Sequence, residues 1–288
     1  MIVSCRIGKG THYGIKRIDH FIRSCSENYH KDCYILKLDI SGYFMSIDRT
    51  LLFKRVSDTL YKYVSKVNFD LPLVMGLIKQ IIFNDPTKNY ILKGNISDWH
   101  GLPPSKSLFY SEENTGLPIG NLTSQLFSNV YLNQFDHFVK KELGIKYYGR
   151  YVDDFVLVHT DKAYLKMIKA VIYNYLKNNL KLELHPKKVY LQHFSKGVQF
   201  LGVIIKPYRI YISSRTKGNF YNLIHKWNKI INENEFLSEE QQQLFLSSVN
   251  SYLGIMKHYR TVKLRRKIVI EKIDKKFWKY YEFPIKLF

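Results

Sequence analysis

The sequence predicts an α+β fold: an antiparallel sheet backed by helices, followed by a segment of helices alone. Three observations carry this expectation. Two short runs rich in aromatic and β-branched residues flank an acidic pair between Tyr147 and His159, the pattern of a tight β-hairpin. Segments with helical spacing alternate with such runs as far as residue 212. From Ser213 onward the strand-like runs stop, so a domain boundary is expected near 212, giving units 1–212 and 213–288.

The elements follow in order. Ile15, Ile18, Phe21 and Ile22 recur at helical spacing after a Gly-, Lys- and His-containing start. Next comes the apolar run Tyr34-Ile35-Leu36-Lys37-Leu38-Asp39-Ile40. On a strand Ile35, Lys37 and Asp39 share one face and Leu36, Leu38 and Ile40 the other, so one face can pack while the other carries chemistry. Residues 48–66 read as a helix with Asp48 or Ser46 as cap, and 71–83 as another that ends before Asn84-Asp85-Pro86. Residues 84–118 contain Pro86, Gly94, Gly101, Pro103, Pro104, Gly116 and Pro118; so long a loop-rich stretch inside a compact protein is usually functional. A helix is expected from Asn121-Leu122 to about Leu143, then the acidic hairpin, then a helix over 161–180. Leu182–Tyr190, Val198–Ile205 and Ile210–Ile212 read as strands. The last helix is expected to carry the cationic series from Lys257 to Lys279.

Composition narrows the class. With 45 Lys and Arg against 24 Asp and Glu, the net charge of +21 points to a polyanionic partner. The sequence has no apolar run long enough to span a bilayer, and Met1-Ile2-Val3-Ser4-Cys5-Arg6 turns polar too early for a signal peptide. Membrane association is therefore not expected, and a cytoplasmic location is. Cys5, Cys25 and Cys33 lack CxxC spacing and read as reduced thiols. The ten histidines show no zinc-ligand spacing. The 23 Tyr and 18 Phe suit stacking on bases, although most individual rings are accounted for by core packing.

Asp39, Asp153 and Asp154 are the candidate chemical centre. Isolated Asp-Asp pairs are mostly solvated turn residues. Here the strand-like flanks, a second acid ending another strand and the basic charge all agree. Three carboxylates on strand ends offer the hard oxygen ligands that suit Mg²⁺, and two such ions can drive in-line nucleotidyl transfer.

The blocks resemble those of reverse transcriptases. Lys37-Leu38-Asp39-Ile40-Ser41-Gly42-Tyr43-Phe44 is similar to the first catalytic motif and Tyr151-Val152-Asp153-Asp154 to the second. Gly116-Leu117-Pro118-Ile119-Gly120-Asn121-Leu122-Thr123-Ser124-Gln125 is similar to the nucleotide-pocket motif. His185-Pro186-Lys187-Lys188 and Phe200-Leu201-Gly202 resemble the lysine and primer-grip motifs, and Ser251-Tyr252-Leu253-Gly254 falls where the thumb begins its second helical stretch. The Asp pair alone is weak evidence; the blocks in order are specific and cover nearly the whole chain. Ile119 and Gln125 stand where most bacterial members carry Gln and Pro, and in this the chain resembles the enzymes of diversity-generating retroelements.

The resemblance implies a right-hand polymerase: fingers and palm interleaved over 1–212, a helical thumb over 213–288, and error-prone copying of an RNA template into cDNA. It implies two Mg²⁺ ions, with Mn²⁺ as a substitute, held by Asp39, the Ile40 carbonyl, Asp153 and Asp154. Phe44 matches the steric gate against a 2′-OH, its plain alternative being a core aromatic. Ile119, Gly120 and Gln125 would line the nucleotide, with Ile40 beside it. Val152, on strained turn backbone, would touch the primer end. Lys188 would approach the triphosphate, and Arg6 and Lys9 would meet phosphates; ordinary solvated basic surface is the alternative for these three. Tyr151, Gly202, Lys263, Arg265, Arg266 and Lys267 would contact nucleic acid. Expected partners are template RNA, the RNA/cDNA duplex, dNTPs and a small basic accessory protein, in a bacterial host cell. The family carries a further stretch before Cys5-Arg6, so the fingers are expected to be incomplete, partner-supplied or reduced, and no room is expected for a maturase, endonuclease or RNase H segment.

Two rivals remain open: a reverse transcriptase of a retron, intron or phage-defence system, and a non-catalytic RNA-binding scaffold with a polymerase fold.

Overall fold

A four-stranded antiparallel sheet organises the first part of the chain, in the order β2-β3-β1-β4. The strands are β1 (Tyr34–Leu38), β2 (Tyr147–Tyr151), β3 (Asp154–His159) and β4 (Tyr190–His193). The computed structural model describes residues 7–66, 68–234 and 236–280. Two compact units divide the chain, Met1–Phe194 and Ser195–Phe288.

The period-2 reading of β1 holds. Leu36, Leu38 and Ile40 join Tyr148, Phe155 and Leu157 in a single buried cluster. Helices α2 (Arg49–Tyr63), α4 (Leu122–Tyr131), α5 (Asn133–His137) and α6 (Lys162–Leu180) close that face, contributing Leu52, Phe127, Tyr131, Phe135, Ile168 and Ile172. Each such side chain contributes about 1.5–3 kcal/mol on burial. The opposite face is covered over part of its length by α1 (Thr11–Cys25), whose Ile15, Ile18, Phe21 and Ile22 are all buried. Gly149 makes this contact possible: a Cβ there would lie 3.2 Å from Ile18 and 3.3 Å from Phe21.

Local signals set the helix starts. Asp48 accepts from the Leu51 N–H at 2.7 Å and so caps α2, Asp70 caps α3 (Leu71–Phe83), and Asp161 caps α6. Each satisfies an N–H that the helix leaves without an internal partner. Residues 84–118 hold only short 3-10 turns, as expected.

Several expected elements are corrected. The helix expected to Leu143 breaks at Leu132 (φ −89°, ψ 0°) and ends in a π-helical turn, Phe138–Glu142. Leu182–Tyr190 is not a strand. A single bridge, Ile40 with Leu184, precedes a turn in which Lys188 N–H donates to the His185 carbonyl at 3.2 Å, and Pro186 has no N–H to give a ladder. Val198–Ile205 is a hairpin, not one strand: β5 (Val198–Phe200) and β6 (Val203–Lys206) turn through Leu201 (φ +47°) and Gly202 (φ +82°), the paired left-handed residues of a type I′ turn.

The second unit joins β5, β6 and β7 (Arg209–Ile212) to the helices α7 (Ser214–Glu233), α8 (Glu239–Lys257) and α9 (Val262–Lys267). Its core contains Phe220, Trp227, Phe245, Val249 and Phe277. Strands end at 212 as expected, but the three-stranded sheet belongs to this unit because Ile212 packs on its core and Thr216 Oγ1 donates to the Gly202 carbonyl at 3.0 Å. The cationic series is not one helix: it runs through the end of α8, α9, a π-helical turn Ile268–Lys272 and a 3-10 turn Lys275–Lys279.

Candidate active site

Strand register brings the acids to one end of the sheet. Leu38 pairs with Phe155, so the next position on each strand sets Asp39 against Asp154, and Tyr151 pairs with Asp154 on the other side. Paired residues point to the same face, here the one α1 covers further along. Val152 and Asp153 form the two-residue turn between β2 and β3. Val152 has φ +57°, a left-handed conformation that is exceptional for a β-branched residue. Type II′ hairpins take glycine at this first turn position, so the turn is strained, as the sequence reading expected.

A buried ion network underlies this turn. Arg150 is 0% exposed. Its Nε donates to Asp136 Oδ1 at 2.8 Å and its Nη2 to Asp136 Oδ2 at 2.5 Å. Nη1 donates to the Val152 carbonyl at 2.8 Å and to Asn129 Oδ1 at 3.3 Å. Tyr148 donates its hydroxyl proton to Asp136 Oδ1 at 2.6 Å. The carboxylate beside it holds Arg150 protonated well above the usual guanidinium range, against its burial.

Two lysines meet the carboxylates. Lys188 Nζ donates to Asp39 Oδ2, and Lys37 Nζ lies 3.2 Å from Asp154 Oδ1. Burial raises Asp153 from 3.8 to about 6, with Asp39 and Asp154 pushing in the same direction. Burial likewise raises Asp154, opposed by Lys37. Among the described residues no three His, Cys, Asp or Glu side chains are gathered in a ready metal-ligand cluster; Lys188 and Lys37 instead pair with two of the acids. The donor chemistry nonetheless fits a hard divalent cation: three oxygen-donor acids stand at one end of the sheet, and the charges of Asp39 and Asp154 add to the burial that raises Asp153.

The raised Asp153 has a consequence for stability. Between about pH 4 and 6 the native state binds more protons than the unfolded chain, so this group's contribution to stability falls as pH rises through that window. At full strength the shift corresponds to about 3 kcal/mol; solvent at this partly exposed site leaves on the order of 1 kcal/mol. In EDTA, Asp153→Asn is therefore expected to be more stable than wild type at pH 7 by that amount, with the gap closing near pH 4. Urea unfolding at both pH values checks this; a gap independent of pH would contradict it.

Phe44 lies in the 3-10 turn Tyr43–Met45, half-buried, its ring edge-on to Tyr43 at 5.5 Å. Its carbonyl accepts from Leu117 N–H at 2.8 Å, and that of Ile47 from Gly116 N–H at 2.9 Å. These bonds seat the segment that leads to Ile119 and Gly120, both exposed. Gly120 has φ +108°. Ile119 lines a cavity of about 400 Å³ together with Met45, Tyr90, Trp99 and Phe109. Gln125 lies in the first turns of α4 and is half-buried.

The remaining expected residues divide. Ile40 is buried and paired with Leu184. Tyr151 is half-buried beside Asp154. Lys9 lies over the Tyr13 ring at 5.7 Å, and Arg6 lies outside the described residues. In the second unit Lys263, Arg266 and Lys267 are exposed, whereas Arg265 is only 5% exposed, so it is not part of an open cationic face. Sequence reading missed Arg150, Asp136, the ion pair of Lys37 with Asp154 and the Arg150 contact to the turn. The available signal was an arginine inside an otherwise apolar strand, two residues before the turn.

Comparisons with known proteins bear on the family and the fold. The family model described as "Reverse transcriptase (RNA-dependent DNA polymerase)" matches residues 5–205. Protein YkfC of Escherichia coli (strain K12) is 25% identical over 226 residues, covering 67% of this chain and 52% of YkfC. A telomerase from Candida tropicalis, solved in complex with a TWJ fragment of telomeric RNA, superposes with a TM-score of 0.51 at 13% identity, covering 94% of this chain and 45% of that one. The chain thus spans about half the length of these relatives, and the structural likeness is one of fold.

Proposed function

Because the chain belongs to the reverse transcriptase family, we propose that it is an RNA-directed DNA polymerase that copies template RNA into cDNA. The observation that carries this reading is the convergence of Asp39, Asp153 and Asp154 at one end of the sheet, beside a turn in which Val152 is held in a strained conformation. Reverse transcriptases use divalent metal ions. Here Asp39, Asp153 and Asp154 would hold two Mg²⁺ ions, with the Ile40 carbonyl as a further oxygen donor. Bound metal would activate the primer 3′-OH and neutralise charge on the triphosphate.

The chain's own groups have separable tasks. Lys188 and Lys37 compensate the acids before loading and are then free to meet phosphate oxygens. Phe44 fills the space beside the sugar. Ile119, Gly120 and Gln125 border the incoming nucleotide. Exposed Lys263, Arg266 and Lys267 supply phosphate contacts that position the duplex without reading its sequence. In the right-hand arrangement, fingers and palm precede residue 212 and the thumb follows. Primer extension with Mg²⁺ and dNTPs on an RNA template tests the function. Binding of RNA with no extension would favour the scaffold reading instead.

We further propose the retroelement subtype, in a bacterial cytoplasm, on Ile119 and Gln125. A partner protein of basic charge would not dock on a +21 chain by charge; α3 offers an apolar stripe instead, with Leu73, Leu77 and Ile81 exposed and Lys79 its one charge. Error-prone copying follows from Ile119, which has no donor or acceptor to set against the nucleotide or template. A hydrogen bond is worth about 0.5–1.5 kcal/mol, up to about tenfold in discrimination. Ile119→Gln is therefore expected to lower misincorporation opposite template adenine several-fold, with little loss of correct incorporation. Steady-state misincorporation ratios measure it, and equal ratios in the two enzymes would make Ile119 a packing residue.

A further inference from the structure

Arg150 makes contacts that a charge merely neutralised in the core would not need. Its two-pronged bond to Asp136 fixes the plane and rotation of the guanidinium, as bidentate arginine–carboxylate pairs do. That leaves Nη1 aimed at two groups. One is the carbonyl of Val152, the strained residue next to Asp153. The other is Asn129, on the helix whose first turns carry Gln125. Gln125 and Asn129 are four residues apart in α4 and so lie on the same helix face. Asp136 itself sits just past the break in that helix, on α5.

We infer that Arg150 is a positioning residue: it fixes the turn that presents Asp153 and, through Asn129, ties that turn to the helix bearing the nucleotide-pocket segment. The role is geometric. The arginine's charge is matched by Asp136, and its remaining nitrogen contacts neutral groups, the Val152 carbonyl and the Asn129 side chain. The bond to the Val152 carbonyl also holds a left-handed valine that the free hairpin would relax, since such strained residues persist only where their surroundings over-determine them. Lysine cannot replace this arrangement, because a single ammonium cannot bridge a carboxylate bidentately and reach the turn with a fixed second nitrogen.

The inference rests on reading Asp39, Asp153 and Asp154 as metal-holding carboxylates, and the experiment separates the two claims. Arg150→Lys keeps the buried charge. Arg150→Met combined with Asp136→Asn removes both charges while leaving Tyr148 an acceptor, which avoids the unpaired buried carboxylate that Arg150→Met alone would create. Both variants and wild type are assayed for thermal unfolding, for Mn²⁺ binding by EPR titration without turnover, and for single-nucleotide extension. The expected result is folded variants in which kcat falls about tenfold or more and Mn²⁺ binding weakens about fivefold, while KM for dNTP stays within about threefold, since misplacing a reacting group by an ångström alone costs rate steeply. Folded variants with wild-type Mn²⁺ binding and kcat, or losses that only track the unfolded fraction, overturn the inference. Wild-type protein that neither binds Mn²⁺ nor extends a primer overturns the metal reading, and this inference with it.

Discussion

Asp153→Asn is expected to lower primer extension at least about a thousandfold while leaving RNA binding within about twofold. The loss follows from charge: metal stabilisation of a phosphoryl-transfer transition state is worth several kcal/mol, and about 4 kcal/mol is a thousandfold in rate. Asparagine keeps the shape and one acceptor oxygen but not the negative charge. Asp39→Asn should behave alike, since Asp39 ends the neighbouring strand and is 5% exposed. RNA affinity should persist because it draws on the excess of 45 basic over 24 acidic residues, through release of condensed counterions. Extension on an RNA template, paired with a filter-binding isotherm at fixed salt, decides it. More than a few per cent of wild-type extension in either variant would remove these groups from the chemistry.

Phe44→Ala is expected to erode discrimination against ribonucleotides by about a hundredfold. A rigid ring beside the sugar excludes a 2′-OH by overlap, and overlap is the kind of repulsion that yields large selectivity, whereas adding a favourable contact gives less. The half-buried ring packs at the margin of the main core, so its removal should cost roughly 1–3 kcal/mol of stability, below the full cost of emptying a core site. The backbone bond from Leu117 N–H to the Phe44 carbonyl does not involve the side chain, so the segment leading to Ile119 stays seated. Incorporation of rNTP against dNTP, measured as ratios of kcat/KM, tests this. An unchanged ratio would make Phe44 a packing aromatic and place the gate elsewhere.

Much of the fold was legible because its signals are local. The apolar face of α1, the Asp48 cap of α2, and the acidic hairpin each depend on residues within a few positions of one another. The failures have two causes, one overlooked local signal and several contacts distant in sequence. Leu201-Gly202 interrupts what looks like one strand, and a glycine inside a strand pattern was the overlooked warning. Just past the break at Leu132, Asp136 contacts Tyr148 and Arg150 on a strand 12 and 14 residues further along, a pairing that local periodicity does not report. Arg150 escaped notice because arginine is ordinarily a surface residue, and its burial depends on a carboxylate that local periodicity cannot pair with it. Arg265 was misread for the same reason in reverse: it lies in a basic run, but one side of α9 must face the core. At the site itself the three acids and Lys188 were legible from motif order and Lys37 from the strand face it shares with Asp39, while the ion pairs these lysines make were not. Lys37 reaches Asp154 across two strands, and Lys188 reaches Asp39 from a turn expected to be a strand.

Those two lysine pairs give the site an ion-exchange character. A divalent cation held as proposed would not meet two bare acids at Asp39 and Asp154; it would have to displace the ammonium groups of Lys188 and Lys37. The site therefore stays charge-compensated between loadings and does not spring apart by self-repulsion. Its selectivity also changes in kind. A monovalent ion gains nothing by swapping with an ammonium of equal charge, while a divalent ion gains on each carboxylate it takes. Each lysine so released would be available to the phosphates of an anionic substrate, so that loading the cation and preparing the anion's counter-charges would be one event.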